Sequence, residues 1–108
     1  MIDFLHGTLI ERLPTRAVID VGGVGYGVAI SLSTYDQLPP VGTAVRLQIF
    51  TYVKEDRLDL FGFADPEERR MFTLLLGVSG IGPNSAQTIL SGMSTTDLQQ
   101  AITQDRVA

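Results

Sequence analysis

The sequence has no cysteine and no tryptophan, one histidine, and fewer cations than anions. The absence of cysteine removes disulfides, thiol nucleophiles and thiolate metal sites together, and it fits a cytoplasmic protein. The single histidine, His6, falls in a stretch that reads as a strand, so neither a histidine metal site nor a Ser-His-Asp arrangement is expected. No run of about 18 apolar residues occurs, so no membrane span is expected. The N-terminus, MIDFLHGTLIERL, carries Asp3 and Glu11 and lacks the basic start and apolar middle of a signal peptide. Lys and Arg number 8 against 12 Asp and Glu, a net charge of −4. Taken alone, that balance argues against nucleic acid, because phosphate binders usually carry a basic patch.

What is present is a foldable chain. Its 108 residues are 44% hydrophobic and 19% charged, which fits one compact domain or two very small ones. A domain of this size buries roughly 65% of the surface its unfolded chain exposes. Up to residue 64 the pattern alternates with period two. Val45, Leu47, Ile49, Thr51 and Val53 form one face, and Ala44, Arg46, Gln48, Phe50 and Tyr52 the other. Five strands are predicted, at Ile2–Arg12, Arg16–Val21, Gly25–Leu32, Ala44–Lys54 and Leu58–Phe63. Gly22-Gly23 marks a tight hairpin. Ser33–Leu38 suits one helical turn before Pro39-Pro40 stops it. Lys54-Glu55-Asp56-Arg57 makes a polar tip between the last two strands. Five short strands with a small helix after the third suggest a Greek-key barrel of the OB type.

After Phe63 the period changes to that of a helix. Asp65 caps and Pro66 starts it, Glu67 and Glu68 occupy a first turn that favours acids, and Met71, Phe72, Leu75 and Leu76 form its apolar stripe. Gly77 ends it. A second helix is predicted over about Asn84 to Leu90, broken by Ser91-Gly92. A third is predicted from Thr95 to about Gln104 behind a capping-box pattern. The expected class is α+β: an OB-fold barrel over 1–64, then a helix-hairpin-helix segment over 65–108.

The connection between the first two of these helices is the informative stretch, Val78-Ser79-Gly80-Ile81-Gly82-Pro83-Asn84. Gly80 and Gly82 permit positive φ and close backbone approach. Ile81 is placed to pin the turn onto the helices, Pro83 presets the second helix, and Ala86 is small enough for close packing. The expected product is a row of free backbone N–H groups at Ser79, Gly80, Ile81, Gly82 and Asn84, a ready anion site at a helix N-terminus. No charged residue occurs from Met71 to Thr96. A phosphate held here is held by amides and the helix dipole, which position a protein on a nucleic-acid backbone without reading its sequence. The bland alternative is a plain helical hairpin with a glycine-rich turn.

Other candidates are weaker. Glu55 and Asp56 alone read as a solvated turn; facing DNA they would act by repelling phosphate. Gly22–Gly27 superficially resembles a dinucleotide loop, but no helix follows it. Arg69 and Arg70 are expected on the exposed helix face. Phe61 and Phe63 are candidates for base stacking, with packing against the helices the favoured role for Phe63. An enzyme would need a Lys/Asp pair or a carboxylate metal cluster, which the uncharged stretch does not supply. No catalytic residue, metal or cofactor is expected. A pure protein–protein assembly module stays open beside the DNA-binding reading.

Read together, Met1-Ile2, Gly7, Asp20–Tyr26, Glu55-Asp56, Leu60–Phe63, Gly80–Pro83 and Ile89–Ser94 resemble the N-terminal part of the RuvA family of Holliday junction branch-migration proteins. The resemblance runs in order over essentially the whole chain. It implies an OB-fold, two helix-hairpin-helix motifs, and a homotetramer holding four-way junction DNA open in recombination, repair and the SOS response. Glu55 and Asp56 would form a central acidic pin, and the amides around Ser79 to Asn84 would hold an arm's backbone. ATP hydrolysis would belong to a RuvB-type hexameric partner, bound through a C-terminal domain expected to be absent here, and a RuvC-type resolvase is a further implied partner. This chain has no G-x-x-x-x-G-K-[ST] loop of its own. It departs from the family at Asn84, often lysine, and at Asp3 and His6, often glycine and a basic residue. Those departures, and an end at Ala108 before the second hairpin, lead to an expectation of weak junction binding by this stretch alone.

Overall fold

A computed structural model describes residues 1–92. The helix expected from Thr95 to Gln104 lies outside the described residues. The elements run β1 (Phe4–Leu13), β2 (Arg16–Val21), β3 (Val24–Ile30), α1 (Leu32–Gln37), β4 (Ala44–Lys54), β5 (Arg57–Phe63), α2 (Pro66–Leu76) and α3 (Pro83–Gly92). The five strands close into a barrel in the order β1-β2-β3-β5-β4, the OB-type arrangement expected from the sequence.

Local chemistry explains the connections. Gly22 and Gly23 take φ of 62° and 94°, as the twist of a two-residue hairpin demands, and the Gly23 N–H donates to Asp20 Oδ1 at 2.8 Å. Ser31 ends β3 because its hydroxyl caps α1, accepting from Thr34 N. Leu32, assigned to a strand from its sequence, therefore starts a helix and stands 46% exposed. Ile2, assigned to the first strand, instead brackets Thr51, whose hydroxyl accepts from Ile2 N and donates to Ile2 O. The β4–β5 hairpin turns at Glu55-Asp56, with Lys54 paired to Arg57.

Two apolar clusters form. One fills the barrel, with Leu9, Ile19, Val28, Leu47 and Ile49 among its members. The other lies outside the barrel wall, where Phe61 and Phe63 point away from the interior toward α2 and α3. Phe72 sits at its centre, with ring centroids 5.3 Å from Phe50, 5.2 Å from Phe61 and 5.0 Å from Phe63. Phe50, read as outward-facing, is thus half-buried beneath α2. The expected stripe of α2 is observed, with Met71, Phe72 and Leu75 buried. Ala86 and Leu90 carry α3 onto the same cluster.

Glu68 departs from expectation. It lies in the first turn of α2, but its carboxylate faces inward, 3% exposed, and accepts hydrogen bonds from Ser31 Oγ at 2.9 Å and from Thr34 Oγ1. Burial raises its pKa above the ordinary 4.5, against the opposing pull of the Thr34 and Ser31 hydroxyls. The folded chain therefore holds this proton more tightly than the unfolded chain. The protonated form's stability is full below about pH 4.5 and declines as pH rises through the elevated folded value. Glu68→Gln cannot ionise there. Its urea midpoint should change less than the parent's between about pH 4.5 and about pH 8, and equal changes in the two chains would show that Glu68 does not titrate abnormally.

Candidate nucleic-acid interface

The turn between α2 and α3 is built by its own backbone. Asp65 caps α2 by accepting from Glu67 N at 2.8 Å, and Pro66 occupies the first turn. At the other end Gly77 N donates to Leu74 O, and Val78 N donates to Leu75 O at 3.0 Å. A β-turn follows, closed by Ile81 N donating to Val78 O at 3.1 Å, with Gly80 third at φ 87°. Positive φ at that position is what a type II turn requires. Pro83 opens α3 as expected, and Ala86 N donates to Gly82 O at 2.9 Å.

The five expected donors differ in what they meet. The amides of Ser79, Gly80, Gly82 and Asn84 find no intramolecular acceptor among the described residues, and all four residues are exposed. Ile81 is a correction: its N–H is occupied by Val78 O, and its side chain packs on the outer apolar cluster as an anchor. Gly82 is a second correction, since it does not adopt positive φ. Its lack of a side chain leaves open space, with no atom within 4 Å of where a Cβ would stand. Sequence reasoning missed Ser85, whose exposed amide is also without an acceptor among the described residues, as third residue of a helix whose first carbonyl partners lie outside it. The helix also continues through Ser91-Gly92 rather than breaking there. Ser91 Oγ instead accepts from Leu32 N at 3.0 Å, which ties the end of α3 to α1.

The acidic tip lies on the same side. A small cleft of about 80 Å³ is lined by Tyr52, Lys54, Arg57, Asp59, Phe61, Pro83 and Asn84, so the base of the β4–β5 hairpin adjoins the start of α3. Glu55 and Asp56 are exposed beyond it, with no ion-pair partner among the described residues. Arg57 is held by Asp59 at 2.9 Å, whereas Lys54 makes no salt bridge among the described residues and sits 5.4 Å from the Tyr52 ring centroid. The tip therefore offers one uncommitted cation beside two acids.

The remaining candidates resolve on burial. Phe61 and Phe63, 4% and 0% exposed, cannot stack on bases. Arg69 is not on a solvated face: its Nε donates to Ile49 O at 2.9 Å and Asp3 lies 3.7 Å from its guanidinium. Arg70 is exposed and pairs with Glu67. Gly22–Gly27 is a hairpin running directly into β3. Among the described residues no cluster of three metal-ligating side chains occurs, and no helix is long and apolar enough to cross a membrane.

Comparison with known proteins places this geometry in context. Residues 1–62 match the family described as the RuvA N terminal domain. A Holliday junction branch migration complex subunit RuvA from Chloroherpeton thalassium is 47% identical over 102 residues, covering 94% of this chain and 51% of that protein. The like-named subunit of Syntrophotalea carbinolica is 52% identical over 104 residues, 96% of this chain and 52% of the relative. That of Solibacter usitatus is 45% identical over 107 residues, 99% of this chain and 54% of the relative. The chain spans about half the length of the curated relatives it matches.

The two turn glycines should respond differently to alanine. Gly80→Ala forces a Cβ into positive φ and should cost about 1–2 kcal/mol. Gly82→Ala meets neither strain nor a neighbour, and should stay within about 0.5 kcal/mol of the parent. Denaturant unfolding of both variants checks the ordering; equal losses would contradict the turn geometry.

Proposed function

The chain belongs to the RuvA family, and on that premise we propose that it is a non-catalytic, DNA-binding part of a Holliday junction scaffold. The observation that carries the reading is the set of unclaimed, exposed amides at Ser79, Gly80, Gly82 and Asn84, on the same side as the acidic tip. Amide N–H groups aimed at solvent from a helix start donate to a phosphate oxygen without any cation. They touch backbone and not bases, which suits a protein that must hold junction arms of any sequence.

Glu55 and Asp56 supply the opposite sign. Copies arranged around a four-way crossover would gather these acids at its centre and hold phosphates apart there, while the amide turns grip the arms. Attraction on the arms and repulsion at the centre together favour an open junction over a stacked one. In this reading the barrel, residues 1–64, presents the tip, and the helical segment from 65 onward grips the backbone. Assembly is a homotetramer, the chemistry of ATP hydrolysis lies with a RuvB-type hexamer, a RuvC-type resolvase acts on the same junction, and the setting is cytoplasmic.

One observation favours a modest affinity for this stretch alone, or a role weighted toward assembly. Arg16, Arg57, Arg69 and Arg70 are all committed to acids of the same chain. Among the described residues that leaves Arg12, Arg46 and Lys54 without an acid partner to release counterions from DNA.

A gel shift of the chain at low salt should show four-way junction bound in preference to linear duplex of the same sequence. Equal or absent binding would leave the assembly role alone. Replacing Glu55→Gln and Asp56→Asn together should leave the unfolding midpoint unchanged and tighten junction binding by about threefold or more, an effect shrinking as salt is added. Unaltered affinity at low salt would remove repulsion from the account of the tip.

A further inference from the structure

Helices α2 and α3 meet the barrel mainly through the rings around Phe72, and apolar contact is non-directional. It holds two surfaces together but does little to choose the angle between them. Directional bonds must do that, and they concentrate at one buried point. Ser31 and Thr34, from the start of α1, donate their hydroxyls to the Glu68 carboxylate on α2. Thr34 Oγ1 accepts from Ala64 N at 3.2 Å, in the joint where β5 passes into α2. The same short helix reaches α3, through Leu32 N to Ser91 Oγ at 3.0 Å and Ser33 Oγ to Leu90 O at 3.1 Å. One node thus ties the end of β3, the exit of β5 and the first turn of α2, with α3 bonded to its rim.

We propose that Glu68, with Ser31 and Thr34, is the positioning group that sets the angle of the α2–α3 hairpin on the barrel, and with it the separation of the amide-rich turn from the acidic tip. The functional half of this inference rests on the nucleic-acid reading of that turn. Glu68 is the only carboxylate among the buried described residues, and Ser31 and Thr34 are two of the four other buried polar side chains. A carboxylate accepts along several lone-pair directions, so two hydroxyls arriving from α1 constrain its rotation as well as its distance. An apolar residue of equal volume would pack there without choosing among neighbouring angles. Two further bonds hold the assembly elsewhere, Arg69 Nε to Ile49 O and Gln87 Nε2 to Ala29 O. Each pins a single point, and neither joins the α1, β5 and α2 segments at once.

The chain has no cysteine, so spin labels can be placed at Thr8→Cys on β1 and Thr73→Cys on α2, both exposed positions. Thr34→Val removes the hydroxyl at nearly constant volume, and Thr34→Ser restores it. In the labelled chain, Thr34→Val should shift or broaden the distance distribution between the labels, while Thr34→Ser should match the parent. Without labels, Thr34→Val should lower the preference for four-way junction over linear duplex by about threefold, with Thr34→Ser again at the parent ratio. A lowered unfolding midpoint with an unchanged label distance and an unchanged junction-to-duplex ratio would reduce the node to a contributor of stability and overturn the inference. If the parent shows no junction preference, the nucleic-acid reading fails by itself, and the label distances still decide whether the node sets the angle. Should Thr34→Val not fold, Ser31→Ala removes the other hydroxyl donor to Glu68, and the α1 cap with it, and should shift or broaden the label distance distribution; a distribution identical to the parent's would then count as failure.

Discussion

A closed barrel that carries large aromatic side chains on its outer wall cannot stand in water uncovered. Phe61 and Phe63 alternate with Leu60 and Gly62 along β5, so the pleat that sends Leu60 into the barrel core sends both rings out of it. With Phe50 on the neighbouring strand they form a sheet face that only another layer can bury. Phe72 and the stripe of α2 provide that layer, and α3 seats Ala86 and Leu90 against the same cluster. The position of the α2–α3 turn follows from this requirement. Because β5 also forms one side of the acidic hairpin, the strand that recruits the helices is the strand that leaves the tip. The two candidate DNA elements are therefore neighbours through a shared piece of backbone, and the base of the hairpin and the start of α3 line one small cleft.

The candidate interface has little positive charge to offer a polyanion. Net charge is −4, and the hairpin segment from Met71 to Thr96 has no charge at all. Attraction is left to dipoles: amides without acceptors at the start of a ten-residue helix. Dipolar attraction falls off within the first turn, whereas a full charge at the tip acts over roughly a Debye length of about 10 Å at 0.1 M salt. The repulsive element thus works at longer range than the attractive one. On the proposed reading, a phosphate backbone approaching this surface would be turned away from the tip before the turn could hold it, so orientation would precede binding. Lys54, beside the tip without an acid partner among the described residues, offsets part of that field, so the two acids act with a net charge nearer one than two.

Most of the architecture was legible in the sequence because it rests on local rules. Period-two alternation together with turn signals located the five strands, Gly22-Gly23 marked a hairpin, and Asp65-Pro66 with the Met71–Leu75 stripe marked a helix and its buried face. The glycine spacing located the turn, though not which amides stay free, since Ile81 N closes a β-turn whose geometry depends on Val78 three residues back. The failures are tertiary. Leu32 looked like the next step of an alternating strand until Ser31 capped a helix. Arg69 looked solvated until Ile49 O met it. Glu68 looked like a first-turn acid serving the helix dipole, and its true partners lie 37 and 34 residues earlier in the chain. Side chains with both a local and a distant use cannot be assigned from spacing alone.

Glu68 also shows how such a distant use is kept. Burying a carboxylate is costly, and here the cost shows in a pKa raised by desolvation despite two hydroxyl donors. A leucine would fill the space more cheaply, and stability alone gives no reason to retain an acid. What an acid supplies is direction. The apolar cluster around Phe72 tolerates small rotations of α2, because rings slide over one another with little change in buried area. Hydroxyls bound to a carboxylate do not, because a bond bent far from line loses most of its strength. On the proposed reading, an amide turn that meets a phosphate within hydrogen-bond distance, while a tip on another element faces a different one, would need its angle fixed more tightly than its burial. The polar node meets that need at a point remote from the surface, where solvent cannot compete for the bonds.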